Sequence, residues 1–182
     1  MTSSATDAAS DAPTPGAPTA AALAVVAGHG DFAAGLISAV AQITGRGDLL
    51  LPVTNRGLGP AEIDAALREA VQHASVRVIF TDLPAGSCTI ASRRLLRERP
   101  DLRLVTGANL PAVLDFVMAS DPAPSDAAVE APAATEAQAQ ALARAVERGR
   151  GALVVVAPPA APASPPLATS TAAPGPEVGG AR

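Results

Sequence analysis

The sequence predicts an α/β fold: an open, doubly wound parallel sheet with helices on both faces. Apolar runs of four or five residues, each the length of a buried strand, recur along the chain. Amphipathic stretches with apolar residues at helical spacing lie between these runs. Strands that alternate with helices in this way typically form parallel sheets, because each crossover helix returns the chain to the same end of the sheet.

The first two strands are each followed by a helix. Residues 23–27 (LAVVA) form an unbroken apolar run, and a helical pattern extends from Asp31 to the glycine at position 45. Residues 49–53 form the second predicted strand. The pair Gly59-Pro60 opens the second helix, since proline is tolerated in the first turn.

The third and fourth strands are predicted at residues 76–80 and 102–105. A helix over residues 87–97 follows the third strand and ends before Pro100. The helix after the fourth strand carries its apolar stripe within residues 113–118.

The last elements follow a change in composition. Residues 121–134 are rich in proline, alanine and acidic residues and are predicted to form an internal linker. Thr135 with Gln138 makes a capping box for a helix that ends near Arg148. Residues 152–156 (ALVVV) are apolar and mostly β-branched, which predicts a fifth strand.

One folded domain is expected, with a tail on each side. Residues 1–22 and 157–182 hold too little branched apolar surface to offset the entropy of ordering a backbone, so we expect both to be flexible. The remaining residues, 23–156, have the usual size of one domain.

The composition excludes several functional classes. The net charge of −4 argues against nucleic-acid binding, and the absence of Trp and Tyr argues against aromatic stacking on bases or sugars. A single cysteine rules out an internal disulfide framework. Neither a signal peptide nor an apolar run of membrane-spanning length is recognisable, so a cytoplasmic protein is expected.

The candidate site lies beyond the carboxyl ends of the strands, where parallel sheets bind their ligands. His29 stands between two glycines at a strand-to-helix turn, and Asp82 follows the third strand. Asp82 can accept a hydrogen bond from one imidazole nitrogen and leave the other as a nucleophile. Each residue alone also has a simpler interpretation, His29 as a solvated loop residue and Asp82 as a turn residue.

An anion bound to His29 has candidate partners at the same edge of the sheet, beyond the carboxyl ends of the strands. Backbone amides at Gly30 and Asp31 begin the first helix, and Gly86 with Ser87 begins the helix after Asp82. Asn109, after the fourth strand, is a further candidate contributor. No metal site is predicted.

Four ordered segments resemble one family. Residues 27–36 (AGHGDFAAGL) resemble the phosphorylation loop of mannose-family enzyme IIA proteins of the sugar phosphotransferase system. Residues 80–87 (FTDLPAGS) resemble the second motif of that family, and 91–93 (ASR) and 106–111 (TGANLP) resemble two further segments. The last predicted strand also has a counterpart there.

The resemblance implies a function and a strand order. His29 is expected to be phosphorylated by the carrier HPr and to donate to an enzyme IIB component, with Asp82 orienting the ring and Ser87 contacting the phosphate. No cofactor is implied, and association with the membrane IIC and IID components is indirect. The implied sheet order is 2-1-3-4, and residues 152–156 are expected to be exchanged in a homodimer, the alternative being that they pair with the sheet of their own chain.

Two departures from the family pattern leave alternatives open. Ala85 stands where the family usually has glycine, and Cys88 stands where it usually has proline. A regulatory phosphoprotein of an incomplete phosphotransferase chain is one alternative, and a non-catalytic interaction module is another. The related phosphotransfer subunit of dihydroxyacetone kinase fits the stretch after His29 less well.

Overall fold

The structure, a computed structural model, describes residues 22–73, 75–120 and 131–156. The four strands are β1 (Ala24–Gly28), β2 (Leu50–Thr54), β3 (Val78–Thr81) and β4 (Arg103–Thr106). The five α-helices are α1 (Phe32–Thr44), α2 (Pro60–Ala70), α3 (Ser87–Glu98), α4 (Leu110–Ala119) and α5 (Ala131–Gly151). A short 3-10 turn at Gly47–Leu49 leads into β2.

The strands form one parallel sheet in the order β2-β1-β3-β4, which confirms the predicted fold class and order. In the central strand, Val26 is level with Pro52 on one side and with Phe80 on the other. The sheet therefore places the ends of β1 and β3 next to each other. The loops that follow these two strands carry His29 and Asp82.

Helices cover both faces of the sheet. Alternate residues of each strand point to opposite faces, so the apolar strand residues contribute to two cores, one on each face. Ala24 and Val26 belong to a core with side chains of α1, α4 and α5, which includes the edge-to-face pair Phe80 and Phe116. Val25 and Ala27, the alternate residues of β1, belong to a second core with side chains of α2 and α3. All five residues of β1 are buried, which explains why its sequence shows no polar alternation.

Helix α5 is longer than the sequence predicted. It runs over Ala131–Gly151 rather than from residue 135 to about 148, so residues 131–134 of the predicted linker are helical. Ala141 and Ala145 are buried, and Ala145 belongs to the core with α1 and α4. Helices in proteins gain most of their stability from such packing, so a local capping signature does not have to mark where the helix begins. Residues 121–130 of the predicted linker lie outside the described residues.

The predicted fifth strand is not formed within this chain. After Gly151 the segment 153–156 belongs to no helix or strand, and its four side chains are 73–98% exposed. A β-branched run becomes a strand only when an adjacent strand satisfies its backbone groups, and in the described residues the sheet ends at β2 and β4.

The two predicted tails fall almost entirely outside the described residues. Ala22 is the exception, since it is 1% exposed and packs in the core with β1. None of the helices in the described part of the chain has both the length and the apolarity that a membrane span requires.

Candidate functional site

His29 is held at the point where β1 turns into α1. Its carbonyl accepts a hydrogen bond from the Phe32 amide at 3.0 Å, which closes the turn. Gly30 has a φ of 54°, in the left-handed region that favours glycine. The two glycines that flank His29 therefore serve different purposes. Gly30 adopts the positive φ of the turn, and Gly28 leaves room for the Asp82 carboxylate, as described below.

Asp82 contacts His29 twice through one carboxylate oxygen. Oδ2 of Asp82 lies 2.7 Å from the ring Nδ1 of His29 and accepts the backbone N–H of His29 at 2.8 Å. The side chain of Asp82 is 11% exposed, whereas that of His29 is 51% exposed. The carboxylate thus lies beneath a ring that remains open to solvent.

The environment of Asp82 keeps its carboxyl ionised. Burial raises the pKa of Asp82, but the two hydrogen bonds from His29 and the attraction to its ring outweigh burial, so the pKa lies below its usual value. An ionised carboxylate can only accept hydrogen bonds, so Nδ1 must carry the proton. In the neutral ring Nε2 is then the nitrogen with the free lone pair, and it has no protein partner among the described residues.

Gly28 leaves the space that this contact needs. A Cβ at position 28 would lie 2.6 Å from the Phe32 ring and 2.9 Å from both Cγ and Oδ2 of Asp82. Distances this short are not tolerated between non-bonded atoms, so any side chain here would displace the carboxylate. The last residue of β1 is therefore a glycine for packing reasons.

The N-terminus of α3 lies beside the imidazole. A Cβ at Gly86, the N-cap of α3, would be 3.2 Å from Cε1 of His29, the ring carbon between the two nitrogens. The first amides of this helix have no intrahelical acceptor, so they are available to an anion at the ring. Ser87 occupies the first helical position, as the sequence predicted, and its Oγ accepts from Nδ2 of Asn55 at 3.2 Å.

The loop after β2 also borders the site, which the sequence reasoning missed. Thr54 donates its hydroxyl to the Gly30 carbonyl at 2.7 Å, and Arg56 pairs with Asp31 at 2.8 Å. A polar run (TNR, residues 54–56) at the end of the strand that pairs with β1 was the available signal. The carboxylate of Asp31 is therefore engaged by a cation, and its expected contribution to anion binding rests on the backbone amide.

Two residues predicted near the site have other surroundings. Asn109 caps α4 by accepting from the Ala112 amide, and its Nδ2 donates to the Gly149 carbonyl of α5 at 3.0 Å. Its side chain thus joins two helices rather than meeting His29. Cys88 is buried, and burial together with the nearby charge of Asp82 raises the pKa of its thiol, so it is a packing residue at neutral pH.

Comparisons with known proteins found a matching family profile and solved structures, both of IIA components of the sugar phosphotransferase system. The family profile described as PTS system fructose IIA component (EIIA-man) matches residues 24–132. No curated protein sequence matches significantly.

Several solved structures share the fold. The mannose/sorbose-specific IIA subunit from Enterococcus faecalis is 19% identical, with 76% of this chain and 96% of that chain covered and a TM-score of 0.56. The PTS IIA protein associated with the fucose utilization operon from Streptococcus pneumoniae is 19% identical, with 73% and 91% covered and a TM-score of 0.56. The EIIA component from Streptococcus agalactiae is 20% identical, with 67% and 92% covered and a TM-score of 0.51.

The family match spans more than half of the chain and includes the loops that carry His29 and Asp82. The four-stranded sheet is also shared with the structures above. The chain belongs to the mannose- and fructose-type IIA component family of the sugar phosphotransferase system.

Proposed function

We propose that His29 accepts a phosphoryl group from the carrier HPr and passes it to an enzyme IIB component, which links the chain indirectly to membrane IIC and IID components. One observation carries this proposal: Asp82 holds Nδ1 at 2.7 Å beneath a half-exposed ring, so Nε2 is the free nitrogen. A phosphocarrier needs a nucleophile that is oriented from below and open from above, because donor and acceptor must each reach it in turn.

The transfer balances without moving a proton. The lone pair on Nε2 of His29 forms a bond to the phosphorus of the donor phosphohistidine. The bond from phosphorus to the donor nitrogen breaks, and its electron pair returns to that nitrogen. The His29 ring, still protonated at Nδ1, then carries a positive charge, which the ionised Asp82 stabilises. In a second transfer of the same kind, a nucleophile of the IIB component bonds to the phosphorus, the bond from phosphorus to Nε2 breaks, and its electron pair returns to Nε2.

Backbone amides are proposed to hold the phosphoryl oxygens. The amides of Gly30 and Asp31 lie directly after the nucleophile, and those of Gly86 and Ser87 begin α3 beside Cε1 of His29. Helix N-termini stabilise anions through unpaired N–H groups and the helix dipole. The Ser87 hydroxyl adds a side-chain donor at the same place.

Phosphorylation with purified components tests this function. The protein is incubated with phosphoenolpyruvate, enzyme I and HPr, and the bound phosphate is measured for the wild type, His29→Ala and His73→Ala. The chain has two histidines, so His73→Ala is a matched control. We expect acid-labile, base-stable phosphate on the wild type and on His73→Ala, and none on His29→Ala. Equal labelling of His29→Ala and the wild type would exclude the proposed nucleophile.

We also propose that the chain acts as a homodimer in which residues 152–156 pair with the sheet of a second copy. Leu153 to Val156 are strongly exposed apolar side chains at the end of α5. The outer edge of β4 is the better acceptor, because β2 contains Pro52, which lacks an N–H group. The exchange of identical segments is a low-cost route to a twofold dimer.

A further inference from the structure

Arg56 lies across the loop that carries His29. Its backbone amide donates to Thr54 Oγ1 at 3.1 Å, and the Thr54 hydroxyl donates to the Gly30 carbonyl. Its guanidinium Nη2 lies 3.5 Å from the position that a Cβ of Gly30 would occupy. The loop after β2 is therefore fixed to the residue that follows the nucleophile, and it places a cation over the bare Cα of Gly30.

The guanidinium is held loosely. Nη2 donates to Asp31 Oδ2 at 2.8 Å, but both side chains are largely exposed, at 63% for Arg56 and 79% for Asp31. Among the described residues Asp31 is the single side-chain partner of Arg56. Exposed ion pairs of this kind contribute little to stability, so the guanidinium can change partner at small cost.

The charges around His29 make such a change favourable. Asp82 contacts the His29 ring and Asp31 follows in the same loop, so two carboxylates belong to this site, whereas among the described residues Arg56 is the cation with a contact to this loop. A phosphoryl group adds a charge of about −1.5 to −2 at pH 7, while the phosphorylated ring gains a single positive charge. Backbone amides supply only partial charges, so the phosphorylated site still has unbalanced negative charge.

We propose that Arg56 binds the phosphoryl group on His29, exchanging the Asp31 carboxylate for phosphate oxygens. The guanidinium forms charge-assisted hydrogen bonds to these oxygens. These bonds favour transfer of the phosphoryl group to His29 and slow its hydrolysis from the phosphorylated protein. Asp31 acts as the resting partner, holding Arg56 beside the site before phosphate arrives. This inference rests on the proposed function of His29 and adds a side chain that neither the resemblance nor the sequence pattern assigned.

The test uses the intact protein phosphorylated by phosphoenolpyruvate, enzyme I and HPr. Four proteins are compared: the wild type, Arg56→Ala, Arg56→Lys and Asp31→Asn. Arg97→Ala is the matched control, since Arg97 is exposed and follows Ser87 by ten residues of α3, roughly 15 Å along the helix. Two properties of the isolated phosphoprotein are measured: its hydrolysis rate, and the midpoint of the phosphorus-31 chemical-shift titration of the phosphoryl group.

A phosphate-binding role predicts a specific pattern. Arg56→Ala raises the titration midpoint, because the dianionic phosphoryl form loses its cation, and it speeds hydrolysis by about fivefold to tenfold. Arg56→Lys restores part of both effects, Asp31→Asn shifts the midpoint the opposite way, and Arg97→Ala resembles the wild type. These measurements involve no partner protein, so they are not sensitive to how HPr docks.

Two outcomes contradict different claims. If the wild type labels on His29 but Arg56→Ala and Arg97→Ala share its titration midpoint and hydrolysis rate, Arg56 does not bind the phosphate. The same conclusion holds even if Arg56→Ala slows transfer from HPr, because the residue would then act in docking. If the wild type does not label at all, the proposed function of His29 fails instead.

Discussion

At the scale of single residues, the site depends on one carboxylate oxygen with two partners. Oδ2 of Asp82 accepts from both the ring and the backbone of His29, so it fixes the side chain and the turn together. The second oxygen, Oδ1, is fully buried and has no hydrogen-bond partner among the described residues. A buried acceptor without a donor is unfavourable, which suggests that this geometry is retained for the charge near the ring.

Replacing Asp82 by asparagine tests that interpretation. The substituted side chain keeps its size but loses the charge, and its amide can donate to Nδ1 and so move the ring proton to Nε2. We expect Asp82→Asn to fold normally and to slow phosphoryl transfer roughly 10²-fold or more, as orienting carboxylates do elsewhere. Single-turnover transfer from phosphorylated HPr measures this rate. An unchanged rate would remove Asp82 from the mechanism.

Gly28 offers a steric test of the same contact. A methyl group at this position meets the Phe32 ring and the Asp82 carboxylate within 3 Å, so Gly28→Ala should displace Asp82. We expect a loss of about 1–3 kcal/mol in the free energy of unfolding and at least a roughly tenfold slower transfer. Urea unfolding and single-turnover transfer measure the two effects.

Gly35→Ala is the matched control for Gly28→Ala. A Cβ at Gly35 of α1 has no atom within 4 Å, and alanine favours the helix by about 0.5–1 kcal/mol. Gly35→Ala should therefore be as stable as the wild type or more so, with normal transfer. Identical behaviour of the two alanine variants would mean that the contact at Gly28 is not critical.

At the scale of elements, the strands and helices that local sequence patterns determine could be predicted, whereas contacts between distant parts of the chain could not. Each strand of the sheet has an apolar run within about two residues of its observed bounds, and the helices predicted to open at Gly59-Pro60 and at about Ser87 begin at Pro60 and Ser87. The strand 152–156 was predicted from composition, but pairing depends on a neighbouring edge, which composition does not reveal. Arg56 was missed because its contact with Gly30 joins two loops that are distant in the sequence, and the residues around Arg56 are typical of a turn.

The seating of α5 on α4 gives a prediction at this scale. A Cβ at Gly149 would lie 2.8 Å from Cβ of Ala112 and 2.9 Å from Oδ1 of Asn109, so Gly149→Ala should push the two helices apart. We expect a loss of about 1–3 kcal/mol in the free energy of unfolding. Gly151→Ala meets no atom within 4 Å and is the control. Equal stability of the two variants in urea unfolding would show that α5 packs differently.

At the scale of the whole molecule, the carboxyl edge of the sheet and the segment after α5 have different roles. The polar residues at the carboxyl ends of β1, β2 and β3 form the candidate site, and the two cores on either side of the sheet hold it in place. The apolar segment 153–156 after α5 takes no part in these cores. Exposed apolar side chains in a continuous run favour association, so the oligomeric state is the natural property to measure.

Light scattering after size-exclusion chromatography tests the proposed exchange. We expect the full chain to be a dimer, because pairing buries the apolar segment and satisfies its backbone. A chain that ends at Gly151 keeps the whole of α5 and should be a monomer or aggregate. Val154→Pro, which removes one backbone donor from the middle of the segment, should weaken the dimer without shortening the chain. A monomeric full-length protein would rule out the exchange and leave the role of His29 unaffected.

In the proposed mechanism, Nε2 of His29 carries the phosphoryl group while Nδ1 remains hydrogen-bonded to Asp82. The most direct measurement is a long-range proton–nitrogen correlation spectrum of the ¹⁵N-labelled, phosphorylated protein, combined with phosphorus-31 detection. We expect phosphorus coupled to Nε2 of His29 and a proton retained on Nδ1. Phosphorus on Nδ1, on His73 or on a residue other than histidine would contradict it.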